Sequence, residues 1–157
     1  MRSFFKVYYP SLRYILVHKW YVLVECWKRG IYWRGIAHDM SKLRPSEFIP
    51  YSRYFFDDKK NREEFLFAKV LHQNRNRHHW LWWVTSTCKG MKALPIPEPY
   101  ITEIICDLIG SGKAQGRFSP KEDPLREARE WWEKYSPNMI LHPDTRKEID
   151  RRFGLSG

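Results

Sequence analysis

The 157 residues are 43% hydrophobic and 17% aromatic, enough apolar side chain to build the core of one domain spanning 1–157 and too much for a disordered chain. Lys and Arg number 28 against 18 Asp and Glu; the net charge of +10 favours anionic partners and carries no information about fold. The three cysteines, Cys26, Cys88 and Cys106, form no CxxC pair, which argues against a cysteine zinc site or a disulfide framework and for reduced core thiols in a cytoplasmic protein.

Helical periodicity runs through almost the whole chain. Over 11–29, Leu12, Ile15, Leu16, Val22, Leu23 and Cys26 recur at three- and four-residue spacing as one apolar stripe, and Gly30 is a natural stop. His18 and Lys19 interrupt this N-terminal run, no small-residue cleavage site follows it, and it falls short of the ~20 apolar residues of a membrane span. A soluble protein with no membrane partner is therefore expected. A short helix is predicted over 31–42, and Pro45 is placed to open another over 45–56. The run DDKKNREE reads as a loop, after which Asn61 can cap a helix over 62–73 while Glu64 reaches back. Phe65, Ala68, Lys69 and His72 share one side of that helix. Residues 77–88 are predicted helical, and GMKALPIPEP is a proline-punctuated loop. Ile101, Ile104, Ile105, Leu108 and Ile109 give the clearest amphipathic pattern, with Gly110 and Gly112 expected to loosen its end. Further helices should begin near Pro124, Pro137 and Pro143. No strand pattern, repeat or linker stands out, so the fold class is all-α.

Three of the six histidines crowd into KVLHQNRNRHHW at 69–80, and the others of interest are spread along separate helices. His18 borders the apolar face of the first helix. His38 and Asp39 lie together in IAHDMSK, His72 ends the fourth helix, and Asp107 stands on the strongest one. Imidazole nitrogen with carboxylate oxygen suits manganese, iron, cobalt, zinc or magnesium, and ligands drawn from several helices recur in α-helical metal sites.

The order His, then His-Asp, then a distant Asp resembles the HD-domain superfamily of all-α metal-dependent phosphohydrolases. More narrowly, the chain resembles a family of small bacterial and phage proteins of unknown function. That likeness rests on HKW at 18–20, HDMSKLRPSEF at 38–48, LHQNRNRHH at 71–79, EIICDLIGSGK at 103–113 and LHPDTR at 141–146. The superfamily pattern implies one divalent ion held by His18, His38, Asp39 and Asp107. In two-metal members, extra histidines lie between the HD pair and the last aspartate, an interval occupied here by His72 and by His78 or His79. Consecutive helical residues differ by ~100°, so a single member of the adjacent pair is expected to turn inward, and His79 is favoured.

Each of these residues has a plainer reading. A lone His18 is a packed core histidine, and a lone HD pair is a solvated helix end. His142 before Pro143 is a capping or packing residue. Lys42, Lys113, Arg75 and Arg77 are candidates for holding a phosphate, guanidinium forks doing so bidentately, or are ordinary exposed cations. Glu47 is a helix-start glutamate favoured by the dipole, or a support or proton shuttle for the site. Trp80, Trp82 and Trp83 fill the core or stack on bases. The expected activity is hydrolysis of a phosphate ester or anhydride in a nucleotide or other small anionic molecule, with Asp39, Lys42, His72 and His79 in the catalytic set. A basic, aromatic-rich nucleic-acid-binding protein is the alternative, although no helix-turn-helix, RNP or zinc-finger spacing is present. A degenerate hydrolase fold acting only through protein contacts is a third.

Overall fold

The computed structural model describes residues 4–116 and 123–155, so both ends of the 1–157 span lie outside it. Seven α-helices and one small hairpin make up the described residues: α1 (Tyr9–Lys28), α2 (Tyr32–Ala37), α3 (Pro45–Phe56), α4 (Arg62–Arg75), β1 (Val84–Thr87), β2 (Gly90–Ala93), α5 (Glu98–Ala114), α6 (Pro124–Tyr135) and α7 (Pro143–Phe153). A π-helical segment, Phe4–Tyr8, leads into α1. The fold class is all-α. No helix among the described residues is long and apolar enough to cross a membrane.

Local chemistry accounts for most of the boundaries. Pro45, Pro124 and Pro143 each sit in the first turn of their helix, where the missing N–H is no loss. Asn61 Oδ1 accepts from the Glu64 backbone N–H at 3.2 Å, and His142 Nδ1 accepts from Asp144 N at 3.3 Å. His142 is therefore a cap. α2 stops at Ala37, well short of 42, because Asp39 takes the left-handed conformation (φ 53, ψ 23) and a 3-10 turn, Met40–Leu43, follows. Asp39 is the one non-glycine with positive φ among the described residues.

Four expectations are corrected. Residues 77–88 form no α-helix: after a turn come the 3-10 segment Trp80–Trp83 and β1, which pairs antiparallel with β2. β-branched Val84, Thr85 and Thr87 favour extended backbone, and Gly90 (φ +109) closes the turn. Most of both strands is exposed, so no apolar alternation marked them in the sequence. Gly110 and Gly112 do not loosen the end of α5; both are buried within the helix, which runs on to Ala114. Pro137 begins no α-helix and lies in the 3-10 turn Ser136–Asn138. Leu16 is 53% exposed and lies off the buried face of α1.

α1 packs along α5, α2 against α1, α3 against α4, and α6 against α5. The main apolar core joins Ile101, Ile105 and Ile109 of α5 to Trp132, Ile149 and Phe153, with Trp80 and Trp83 packed onto it. A smaller cluster, Val22, Cys26 and Cys106, seals α1 to α5. Each fully buried Ile or Phe contributes roughly 1.5–3 kcal/mol. Among the described residues, thirteen buried polar or charged side chains stand against fourteen buried apolar ones. A buried ion costs several kcal/mol unless paired, so a polar interior this large marks a built site.

Candidate metal centre

His18 comes from the buried face of α1, His38 and Asp39 from the end of α2, and His72 from the last turn of α4. His78 and His79 lie in the turn after α4, and Asp107 in the middle of α5. The left-handed backbone at Asp39 turns the chain sharply, and both of its carboxylate oxygens lie in the interior. Such a conformation is uncommon outside glycine, and Asp and Asn tolerate it best.

Four donors converge at the base of the cluster. His18 Nε2 lies 3.2 Å from Asp107 Oδ1, 3.3 Å from His38 Nε2 and 3.6 Å from Asp39 Oδ2; His38 Nε2 lies 3.4 Å from Asp39 Oδ2 and 3.3 Å from Asp107 Oδ1. Donors about 2.0–2.1 Å from a common centre at tetrahedral angles stand about 3.3 Å apart. The five separations match that edge length. Beside them, Asp39 Oδ1 lies 3.4 Å from both His72 Nε2 and His78 Nε2, and His72 Nε2 lies 2.9 Å from His79 Nε2. Asp39 thus turns one oxygen to each set, and each set places its donor atoms within 4.8 Å of one another.

Hydrogen bonding on the far side of the rings fixes what these nitrogens can do. Nδ1 of His38 and of His78 faces Glu103 Oε1 at 3.0 and 3.2 Å, and Nδ1 of His72 faces Glu47 Oε2 at 2.9 Å. A carboxylate there keeps the proton on Nδ1 and leaves the Nε2 lone pair pointing inward. The Nε2 atoms of His18 and His38 stand 3.3 Å apart and those of His72 and His79 2.9 Å apart, so a cation set between the rings would take up lone pairs from both members of a pair. The remaining atoms point the same way: both Asp39 oxygens and His78 Nε2 are buried with no hydrogen-bond partner. Lys42 Nζ comes within 2.6 Å of Asp39 Oδ2, an ion pair in distance but outside hydrogen-bond geometry. The residues fit a divalent ion.

The electrostatics agree. Burial alone would lower the pKa of His38, but Asp39, Asp107 and Glu103 outweigh it and raise it to about 10. Burial likewise opposes ionisation of Asp107, yet His18 and His38 hold it well below the ordinary carboxylate range. Burial pushes His79 well below the usual imidazole value, and the neighbouring His78 and His72 lower it further. The carboxylates around His38 favour positive charge at this position, the charge that a divalent ion would supply in place of a proton on Nε2.

The expected set is brought together except at its rim. His18, His38, Asp39, Asp107, His72 and His79 all belong to the cluster, and Lys42 abuts it. The other three cations are engaged elsewhere. Arg75 donates to Glu47 at 2.7 Å, Arg77 donates to the Tyr100 hydroxyl at 3.0 Å, and Lys113 donates to buried Glu25 at 2.6 Å. His78 joins the cluster together with His79. The expectation that one of the pair turns away assumed a helix at 77–88, and in the turn that replaces it both rings reach inward. Glu103 went unnoticed in the sequence, and the signal available was its place one turn before Asp107 on the same helix. Glu47, read chiefly as a helix-start residue, is completely buried and holds both His72 and Arg75.

The profile of a family of unknown function, DUF5662, matches residues 8–154. The chain belongs to that family. No curated protein and no solved structure matches it. The matched span takes in every residue of the cluster.

Glu103 offers a direct check. Its carboxylate aligns two of the imidazoles at once, and loss of such a partner typically costs 10–100-fold in metal affinity. Glu103→Gln is expected to weaken Mn or Zn binding by about that factor, measured by competition with a chromophoric chelator. Unchanged affinity would mean that His38 and His78 are held without it.

Proposed function

We propose that the protein is a metal-dependent phosphohydrolase of the HD type, acting on a phosphate ester or anhydride in a nucleotide or another small molecule. The observation that supports this most is the near-tetrahedral spacing of His18, His38, Asp39 and Asp107, residues whose order along the chain resembles the HD pattern. A divalent ion there would supply Lewis acidity toward a phosphoryl oxygen and make water a usable nucleophile near neutral pH.

The protein's own groups have distinct tasks in this reading. His18, His38, Asp39 and Asp107 hold one ion, and His72, His78, His79 and the other oxygen of Asp39 can hold a second. Glu103 and Glu47 fix the imidazoles. Lys42, beside Asp39, offsets charge on a non-bridging phosphate oxygen, since phosphoryl transfer depends mostly on positioning and electrostatics. With Arg75, Arg77 and Lys113 paired elsewhere, that task falls to Lys42. Asp107 and His79 border a cavity of about 460 Å³ through which a substrate reaches the cluster. The net charge of +10 draws anions toward it, less so as salt rises.

A nucleic-acid binder would spread histidines and arginines over an exposed flat face. Burial of His18, His38, His72 and His78, and the packing of Trp80 and Trp83 into the core, weigh against that alternative. Elemental analysis of protein purified without an affinity tag, followed by a phosphate-release screen, tests the proposal. In the same assays the double substitution His72→Ala, His79→Ala is expected to lower turnover at least about 10-fold at saturating metal. Salt-sensitive binding to generic single strands should hardly change. Unchanged turnover with weakened strand binding would return the nucleic-acid reading.

A further inference from the structure

A second cavity, of about 570 Å³, opens beside the cluster and is walled mainly by apolar surface. Among the described residues that line it, Tyr14, Tyr51, Phe55 and Phe56 supply four aromatic rings, Lys42 the one formal charge, and Gln115 a side-chain amide. Three of these residues also touch the cluster. Tyr14 stacks on His18 (ring centroids 6.2 Å, interplanar 12°), Tyr51 meets His72 edge-on at 6.1 Å, and Lys42 reaches Asp39. Gln115 lies on the border shared with the cavity that contains Asp107 and His79. The aromatic cavity and the cluster are therefore two ends of one site.

Resting on the hydrolase reading above, we propose that this cavity seats the organic half of the substrate and takes a flat, uncharged aromatic group, a nucleobase on a nucleoside monophosphate, with the phosphate at the cluster. The volume falls within the ~300–1,000 Å³ of small-molecule sites. A bare sugar phosphate would bury hydroxyls against rings that cannot satisfy them. A cationic group would meet Lys42, and no carboxylate stands among the described residues of the lining to receive it. A polyphosphate chain would need several free cations, and of the described residues Arg75, Arg77 and Lys113 are already paired, which leaves Lys42 at Asp39 and Lys69 on the wall of the neighbouring cavity. One phosphate at Lys42 and one planar ring among the aromatics fit what remains. The Gln115 amide, which donates to the Tyr14 hydroxyl at 3.3 Å, is the polar group placed to read a base edge.

The test uses the full chain in EDTA, so that neither metal nor turnover is involved. Adenosine and, separately, ribose are titrated in while ligand-observed NMR follows saturation. Adenosine is expected to bind and ribose not to, a comparison that needs no altered protein to fold. Base–aromatic stacking lost on alanine substitution corresponds to a weakening of about 5-fold or more, which is the change expected for Phe55→Ala. Phe55 is 58% exposed, so its removal spares the core, and Phe56→Leu provides an independent second variant. Adenosine that binds no better than ribose, or binds both variants as tightly as the unaltered chain, overturns the assignment. Phosphate release from adenosine monophosphate and ribose 5-phosphate in Mn separates the two proposals. Adenosine binding with no phosphate released from either ester supports the pocket and removes the hydrolase. Equal release from both esters, with no adenosine binding, does the reverse.

Discussion

Replacing Asp39 by alanine is expected to abolish phosphate release and strip the bound metal while the helices stay in place. Its two oxygens face different histidine sets, Oδ2 toward His18 and His38 and Oδ1 toward His72 and His78, so both lose their shared anionic donor at once. Loss of a supporting partner around a metal already costs 10–100-fold, and loss of this common donor should exceed that, to about 10³-fold or more in turnover. Stability should change less. Lys42 and His38 lose a buried counter-charge, which costs up to about 3–5 kcal/mol for a pair that cannot adjust. Here Lys42 lines a cavity into which it can turn, and His38 can give up its proton. Alanine also fits the left-handed backbone less well than aspartate, so Asp39→Asn, which tolerates it, separates strain from ligation. Elemental analysis, circular dichroism and a phosphate assay read the three quantities. A variant that lost its metal but kept full turnover would overturn the mechanism.

Gly110→Ala is expected to lower stability by about 1–3 kcal/mol and to weaken metal binding, although it touches no ligand. A Cβ at Gly110 would meet Val22 Cγ2 at 2.5 Å, Val22 N at 3.0 Å and Val22 Cα at 3.3 Å. Valine is stiff about χ1 and two of those atoms are backbone, so α1 must move away from α5. Alanine gains about 1 kcal/mol in helix propensity over glycine, which offsets only part of the clash. The same displacement carries His18, one turn from Val22, away from Asp107, one turn from Gly110. Thermal melting together with metal titration checks both effects. A rise in melting temperature with metal affinity intact would show that the two helices have slack the structure does not display.

The sequence made the helices and the ordered ligand set legible for one reason: both are local or sequential patterns. His18, the His38–Asp39 pair and Asp107 come from three separate parts of the chain in a recognisable order, and prolines mark the starts of α3, α6 and α7. What stayed hidden depends on distant partners. Glu103 has its role only because residues 65 and 25 positions away bring their Nδ1 atoms to it. Glu47 likewise looks like any acidic residue at a helix start until His72 and Arg75 arrive from α4. α1 is apolar on most sides, so periodicity could not say that Leu16 and Trp20 would stay exposed, at 53% and 62%. Gly110 reads as a helix breaker by composition, and only the approach of Val22 makes it a contact point.

The distribution of the ligands along the chain also sets an order of assembly during synthesis. His72, His78, His79 and Asp39 have all been synthesised once residue 79 is added, but the set built on His18 and His38 waits for Asp107 on α5. α5 is also the helix against which α1 packs, so until it emerges His18 has neither its partner aspartate nor the surface that fixes its direction. A nascent chain stopped before residue 107 would present histidines to passing ions without the geometry to select among them. Any ion held by the His18 set would therefore be loaded late, after most of the protein exists.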